Sequence, residues 1–375
     1  MSTREPLPRA YEPAAVEARW YPHWEEAGYF HGRPDPAKKP YSIVIPPPNV
    51  TGILTLGHVL NNTLQDILIR YHRMKGEEVC WFPGTDHAGI ATEARVEKYL
   101  REKENTGRDK LGREEFINRV WKWKDEFGGK IIRQLRTLGC SCDWERERFT
   151  MDEGLSAAVR KVFVELYNKG YIYRGQRMIN WCPVAKSALS DEEVIYKDVA
   201  GKFYYFRYPI SDGSGYLVVA TTRPETMFGD TAVAVNPADE RYKHLIGKTV
   251  KLPLTDREIP IIGDVHADPA KGTGCVKITP AHDPNDFEVG KRHNLEVINV
   301  MNPDATLNAR AGAKFEGLDR FAARELAVRM MEEQGLVEKV EDIRHAVGYS
   351  ERGDVPIETL VSYQWFCNMK ELAKP

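Results

Sequence analysis

Pro46-Pro47-Pro48-Asn49-Val50-Thr51-Gly52, followed by Leu56-Gly57-His58 and then by Gly84-Thr85-Asp86-His87-Ala88-Gly89-Ile90-Ala91-Thr92, decides how this chain folds. Ahead of the prolines, Tyr41-Ser42-Ile43-Val44-Ile45 is a short apolar run rich in β-branched residues, the composition of a buried parallel strand. Behind them, Val59, Leu60, Leu64, Ile67, Leu68, Tyr71 and Met74 recur at helical spacing up to Gly76, which suits a C-terminal cap. Gly57 and His58 therefore open a helix. The free N–H groups and the dipole at that end attract anions, and the glycine lets a ligand approach the main chain. Strand, glycine-bearing turn and helix form one unit of a doubly wound α/β sheet, where ligands sit at the carboxyl ends of the strands.

The 375 residues carry 53 Lys and Arg against 55 Asp and Glu, a formal net charge of -2. A uniformly basic nucleic-acid binder is excluded, so any contact with nucleic acid must use a local patch. The length predicts two or three domains. Met1 to Pro13 has no apolar core of signal-peptide length and no stretch is long enough to span a membrane, so a cytoplasmic protein is expected. Six cysteines, at 80, 140, 142, 182, 275 and 367, are scattered without a disulfide framework, and reduced thiols are expected.

Farther along, Arg113 to Gly139 carries an apolar and aromatic helical stripe interrupted at Gly128-Gly129, and such a stripe is usually core. Thr150-Met151-Asp152-Glu153 reads as a capping box before a helix that closes at Gly170. From about Val194 the texture changes to short strands separated by Gly, Pro and Asp turns, with one helix over Leu318 to Gln334. The predicted organisation is a nucleotide-binding part over 1–193, an inserted mostly β domain over 194–345 and a return segment over 346–375, which includes Ile357-Glu358 and Ser362 to Phe366.

Both opening motifs, in wording and order, resemble the valyl-tRNA synthetases, and Tyr11-Glu12-Pro13 through Tyr21, Trp24 and Phe30 is similar to that family's approach segment. The resemblance implies an α/β fold: the first half of a class I Rossmann-like nucleotide-binding fold with an inserted mostly β editing domain. It also implies site residues. Pro46, Pro47 and Asn49 would shape a valine pocket and Asp86 would pair with the valine amino group, although Asp86 also suits a helix cap. Thr55, Gly57 and His58 would cradle ATP, expected with Mg2+. Thr55 stands where the family's HIGH-type motif has its first histidine, and a threonine donates a hydrogen bond without becoming cationic.

Two segments of the insertion, Thr221 to Asp230 and Gly272 to Asp286, resemble the editing domain of the valine, isoleucine and leucine enzymes, and the Met227-Phe228-Gly229-Asp230 ending favours the valine branch. A hydrophobic pocket shaped for valine cannot strongly reject threonine; this enzyme class is itself the standard illustration, at about 10²-fold. A second site must then offer polar groups to the threonine hydroxyl, which valine would leave buried and unpaired at roughly 1–3 kcal/mol each. By resemblance Lys277, Thr279 and Asp283 would read the hydroxyl, Asp286 would hold the substrate ammonium, and Arg223 and Thr226 would line the pocket for the tRNA end. The insertion shows no Ser-His-Asp set, which fits attack by a positioned water.

Two further departures bear on function. Asn180-Trp181-Cys182-Pro183-Val184-Ala185 resembles a Cys-Pro-x-Cys zinc half-site of some family members, but its second cysteine is Ala185, and Gly348 to Gly353 holds none, so no structural zinc is expected. The family's KMSKS-type lysine loop, anticodon-binding domain and C-terminal coiled coil are not in these residues. An excised part of a valine–tRNA ligase, a free-standing hydrolase clearing threonine from tRNA(Val), and a non-catalytic tRNA-binding relative all fit that pattern. Valine, ATP and tRNA(Val) are the expected partners of a monomer without membrane contact.

Overall fold

The computed structural model describes residue 10 and residues 12–374; Tyr11 of the expected approach segment lies outside them. The chain divides into two compact units, one up to Lys169 and one from Gly170. The predicted boundary at 194 falls inside the second unit. Among the described residues no helix is long and apolar enough to cross a membrane.

In the first unit α1 (Pro13–Glu26), β1 (Pro40–Val44), α2 (Leu56–Met74), β2 (Glu78–Phe82), β3 (Gly84–Thr85), α3 (Ile90–Glu104), α4 (Arg108–Thr137), β4 (Arg148–Phe149) and α5 (Glu153–Asn168) follow one another. β1 and β2 pair in parallel from Pro40↔Glu78 to Val44↔Phe82, with α2 as the crossover. The alignment continues beyond the strands: the Ile45 N–H donates to the Phe82 carbonyl and Asn49 bridges Asp86. Ile45, Val50, Ile69, Trp81, Ile131 and Leu135 form the core beneath.

One local expectation, the cap of α5, needs correction, and α2 and α4 show features that spacing left open. The α2 stripe of Leu60, Leu64, Ile67, Leu68, Tyr71 and Met74 is exposed, and the helix instead buries Asn62 and Ile69. Both sides of α2 carry apolar residues, and periodicity does not say which one meets the sheet. α4 runs unbroken through Gly128-Gly129, and its only non-helical residue is Gly112, at φ 74°; Gly128 lies where an added Cβ would stand 3.7 Å from Val50 Cγ1. The cap of α5 is Asp152, which accepts the Leu155 N–H at 2.8 Å, and not Thr150.

The second unit begins with β5 (Ile172–Cys182), β6 (Ser187–Leu189), β7 (Val194–Pro209), β8 (Tyr216–Thr221), β9 (Ala232–Val235), β10 (Thr249–Lys251), β11 (Glu258–Gly263) and β12 (Cys275–Ile278). It ends with α6 (Pro284–Arg292), α7 (Arg320–Glu333), β13 (Val337–Ser350), β14 (Glu358–Cys367) and α8 (Met369–Leu372). Its sheets have the orders β10-β11-β9-β12, β13-β7-β8 and β14-β5-β6. Phe206, Tyr208, Val219, Phe228, Val233 and Met331 belong to one apolar core that joins the first two sheets to α7. Every residue of β9 is buried, as its unbroken Ala232-Val233-Ala234-Val235 run requires of a strand covered on both faces. The long β7–β13 pairing, Val194↔Ser350 to Phe206↔Val337, places the chain's return beside its entry.

Candidate active sites

The parallel register of the first unit sets Asn49 beside Asp86, with the Val50 N–H on the Asp86 carbonyl at 3.0 Å and the Asp86 N–H on the Pro48 carbonyl at 2.9 Å. The Asp86 carboxylate accepts the Thr150 hydroxyl at 2.9 Å, and Thr150 Oγ1 accepts the His87 N–H at 2.9 Å. His87 Nδ1 stands 2.5 Å from the same oxygen. Because the only hydroxyl proton goes to Asp86, His87 Nδ1 is the donor of that pair. Thr150, read from sequence as a cap, thus orients the carboxylate expected to meet an ammonium.

Thr55 is the N-cap of α2. Its N–H donates to His58 Nδ1 at 3.1 Å, and its Oγ1 lies 2.8 Å from the same nitrogen. A main-chain N–H can only donate, so a neutral His58 carries its proton on Nε2, turned away from the cap. Pro46, Pro47, Asn49, Thr55 and His58 line one open cleft of about 860 Å³, together with Asn61, Arg95 and Trp123. Asp86 and Gly57 are not on that lining. Asp86 meets the cleft only through its backbone bridge to Asn49.

In the second unit the six residues Arg223, Thr226, Lys277, Thr279, Asp283 and Asp286 line a single cavity of about 250 Å³, with Thr222, His266 and His282 among its other walls. Arg223 and Thr226 come from the turn after β8, Lys277 from β12, and Asp283 and Asp286 from the start of α6. A buried web supports the floor. Lys277 Nζ is 3.2 Å from Asp230 Oδ1 and 3.2 Å from Thr226 Oγ1, and it also donates to Thr279 Oγ1. Asp230 accepts the Thr279 hydroxyl at 2.6 Å and the Tyr208 hydroxyl at 2.8 Å. Burial raises the pKa of Asp230, against the pull of Lys277 and the two hydroxyls.

Asp286 Oδ2 accepts the Thr279 N–H at 2.8 Å, while its Oδ1 is 3.7 Å from His266 Nε2. Burial raises this carboxyl from 3.8 to about 7. Asp283 caps α6, its Oδ1 accepting the N–H groups of Asn285 at 2.8 Å and Asp286 at 3.2 Å. His282 Nε2 accepts the Val300 N–H at 3.1 Å, so its proton is on Nδ1, which finds no partner among the described residues; burial pushes its pKa down to about 3. Sequence reasoning gave no role to Asp230 or His282, although both stand in the two segments read as an editing site, nor to Tyr208 or His266, and it read Thr150 only as a cap. The available signal was a carboxylate at Asp230 two residues after the Met227-Phe228 pair, a composition that buries a charge and therefore demands a partner.

The model of the family described as tRNA synthetases class I (I, L, M and V) matches residues 19–375. The chain belongs to the class I tRNA synthetases. It is 58% identical over 367 residues to a valine–tRNA ligase of a Nostoc species and 59% identical over 369 residues to one of Geobacter sulfurreducens, 98% of this chain in both cases. It spans only 36% and 41% of the length of those two relatives. A chain in the crystal structure of the ternary complex of Agrobacterium radiobacter K84 agnB2 LeuRS-tRNA-LeuAMS is similar at TM-score 0.45 and 20% identity, over 93% of this chain and 49% of that one. That likeness is too distant to add to the assignment.

Among the described residues no group of three or more His, Cys, Asp and Glu side chains is placed to hold a metal ion. Cys182 is fully buried and its sulfur takes the Ala185 N–H at 3.3 Å.

Proposed function

We propose that this chain is the amino-terminal part of a valine–tRNA ligase, contributing valine and ATP binding from its first unit and hydrolytic editing of threonyl-tRNA(Val) from its second. Valine, ATP with its Mg2+ and tRNA(Val) are the partners of this reading, for a cytoplasmic monomer. The observation that carries it is the convergence of six residues from two separated segments on one cavity, in a chain 58% identical to a valine–tRNA ligase over 98% of its length.

A cavity of about 250 Å³ has room for an aminoacyl group and leaves the bulk of a nucleotide outside. An arriving ammonium lowers the pKa of Asp286, which ionises and anchors it, since an opposite charge within a few ångströms favours the charged form. The Lys277 ammonium has its three protons on Asp230, Thr226 and Thr279, so the group left to meet a threonine hydroxyl is Thr279 Oγ1, as acceptor. A valine methyl at the same place forgoes that bond, about 0.5–1.5 kcal/mol. Water then attacks the ester carbonyl, the bond to the ribose oxygen breaks, and that oxygen leaves with a proton as threonine is released.

The test is deacylation of threonyl-tRNA(Val) by the purified chain, compared with Asp286→Ala. Hydrolysis that falls at least tenfold in the variant is expected. Equal rates would overturn the assignment of Asp286, and no hydrolysis by the unmodified chain at high concentration would overturn editing by this unit alone.

A further inference from the structure

Arg223 lines the candidate editing cavity, yet the groups that hold it come mostly from outside its own turn. Its Nη2 pairs with Glu358, its Nη1 donates to the His282 carbonyl at 3.1 Å, and its Nε lies 3.6 Å from Glu225. Glu358 is 2% exposed and opens β14. Its other oxygen pairs with Arg320, which also donates to the Pro356 carbonyl at 2.8 Å. The next residue, Thr359, donates its hydroxyl to the same His282 carbonyl at 2.6 Å. Two consecutive residues of one strand therefore grip two walls of the cavity, the Arg223 guanidinium and the main chain at His282.

β14 is not a free strand. It pairs antiparallel with β5 from Glu358↔Trp181 to Cys367↔Ile172, and Trp181 Nε1–H donates to the Pro303 carbonyl at 2.7 Å. Any shift of this ribbon along or across its length must move Glu358, and with it the guanidinium in the cavity wall. A buried carboxylate between two guanidiniums cannot be relieved by water, so loss of its charge leaves both cations undercompensated and free to reorient.

We infer that Glu358 and Thr359 are positioning residues for the hydrolytic site, fixing Arg223 and the His282 main chain and making the shape of the cavity depend on the β5–β14 ribbon. This rests on the reading of the cavity as an editing site. Glu358 acts through Arg223, and Thr359 acts through the carbonyl at His282.

The experiment compares the full chain with Glu358→Gln, Glu358→Asp, Thr359→Val, Arg223→Ala and the double variant Arg223→Ala/Glu358→Gln, with threonyl-tRNA(Val) as the substrate and circular dichroism confirming the fold. Glu358→Gln is expected to lower kcat about tenfold with little change in KM, Glu358→Asp to recover part of that loss, and Thr359→Val to lower kcat severalfold. In the Arg223→Ala background Glu358→Gln should add less than about twofold, because the group it positions is gone. A full additional loss in that background, or an unchanged kcat for Glu358→Gln, overturns the inference. Should Glu358→Gln not fold, Thr359→Val decides, and an unchanged kcat overturns it. An unchanged rate for Arg223→Ala instead overturns the assignment of the cavity and takes the inference with it.

Discussion

Replacing Asp286 by asparagine is expected to stabilise the second unit at neutral and alkaline pH while abolishing the hydrolysis proposed for it. Asp286 is 6% exposed, and its Oδ2 accepts the Thr279 N–H at 2.8 Å, a bond that an asparagine carbonyl keeps. Burial raises the carboxyl from 3.8 to about 7, helped by the nearby Asp283 and Asp230 and opposed by Lys277 and the Thr279 N–H. A carboxyl whose folded pKa lies above its unfolded one keeps its proton longer in the folded state. Its contribution to stability is then complete below about pH 4 and is lost as pH rises through about 7. At ~1.36 kcal/mol per pH unit, the rise amounts to about 4 kcal/mol. Asparagine does not ionise and escapes this loss. Urea unfolding of both proteins, at several pH values between about 4 and 8.5, should give a stability difference that widens in favour of asparagine up to about pH 7 and is level above it. A difference independent of pH, or one that widens in favour of the aspartate as pH rises, would refute the claim that burial governs this carboxyl. The same variant should fail to hydrolyse threonyl-tRNA(Val), because the ammonium loses its counter-charge.

Lys277→Met should destabilise the chain by about 3–5 kcal/mol, since Asp230 would be left buried without its cation. Adding Asp230→Asn should recover most of that loss in a urea titration, and no recovery would show that the pair is not the cause. Thr150→Val should weaken valine binding between about tenfold and about a hundredfold by calorimetry, the roughly 1.5–3 kcal/mol worth of one hydrogen bond to a charged group, and leave 3-methylbutanoate, which lacks the ammonium, unaffected. Equal losses for the two ligands would place the effect elsewhere than on Asp86. Gly229→Ala should cost about 1–3 kcal/mol by thermal unfolding, because an added Cβ would stand 2.7 Å from the Ile298 carbonyl and 3.2 Å from Thr279 Cγ2; an unchanged melting temperature would mean that the packing around Gly229 is soft.

The strand, the turn at Gly57 and the helix that follows were readable from residue order, because alternation, β-branching and helical spacing are properties of a few consecutive residues. The strands from 203 to 278 were readable for the same reason, as was the helix near 320–333. The six residues of the candidate editing cavity were named from literal strings in two segments, and the structure gathers them around one space. Tertiary structure alone decided the rest. Apolar residues on both sides of α2 left its buried face open until the β1–β2 pair and the 131–135 part of α4 took one of them. Thr150 could cap a helix or turn to Asp86, 64 residues away, and the choice depended on β3 and β4 lying side by side. Asp230 met Tyr208 and Lys277 only when β7, β9 and β12 closed around it, and Glu358 met Arg223 across 135 residues. A buried charge announces in sequence that it needs a partner, and only packing names the partner, because the desolvation that makes the pairing matter does not exist until the chain has closed.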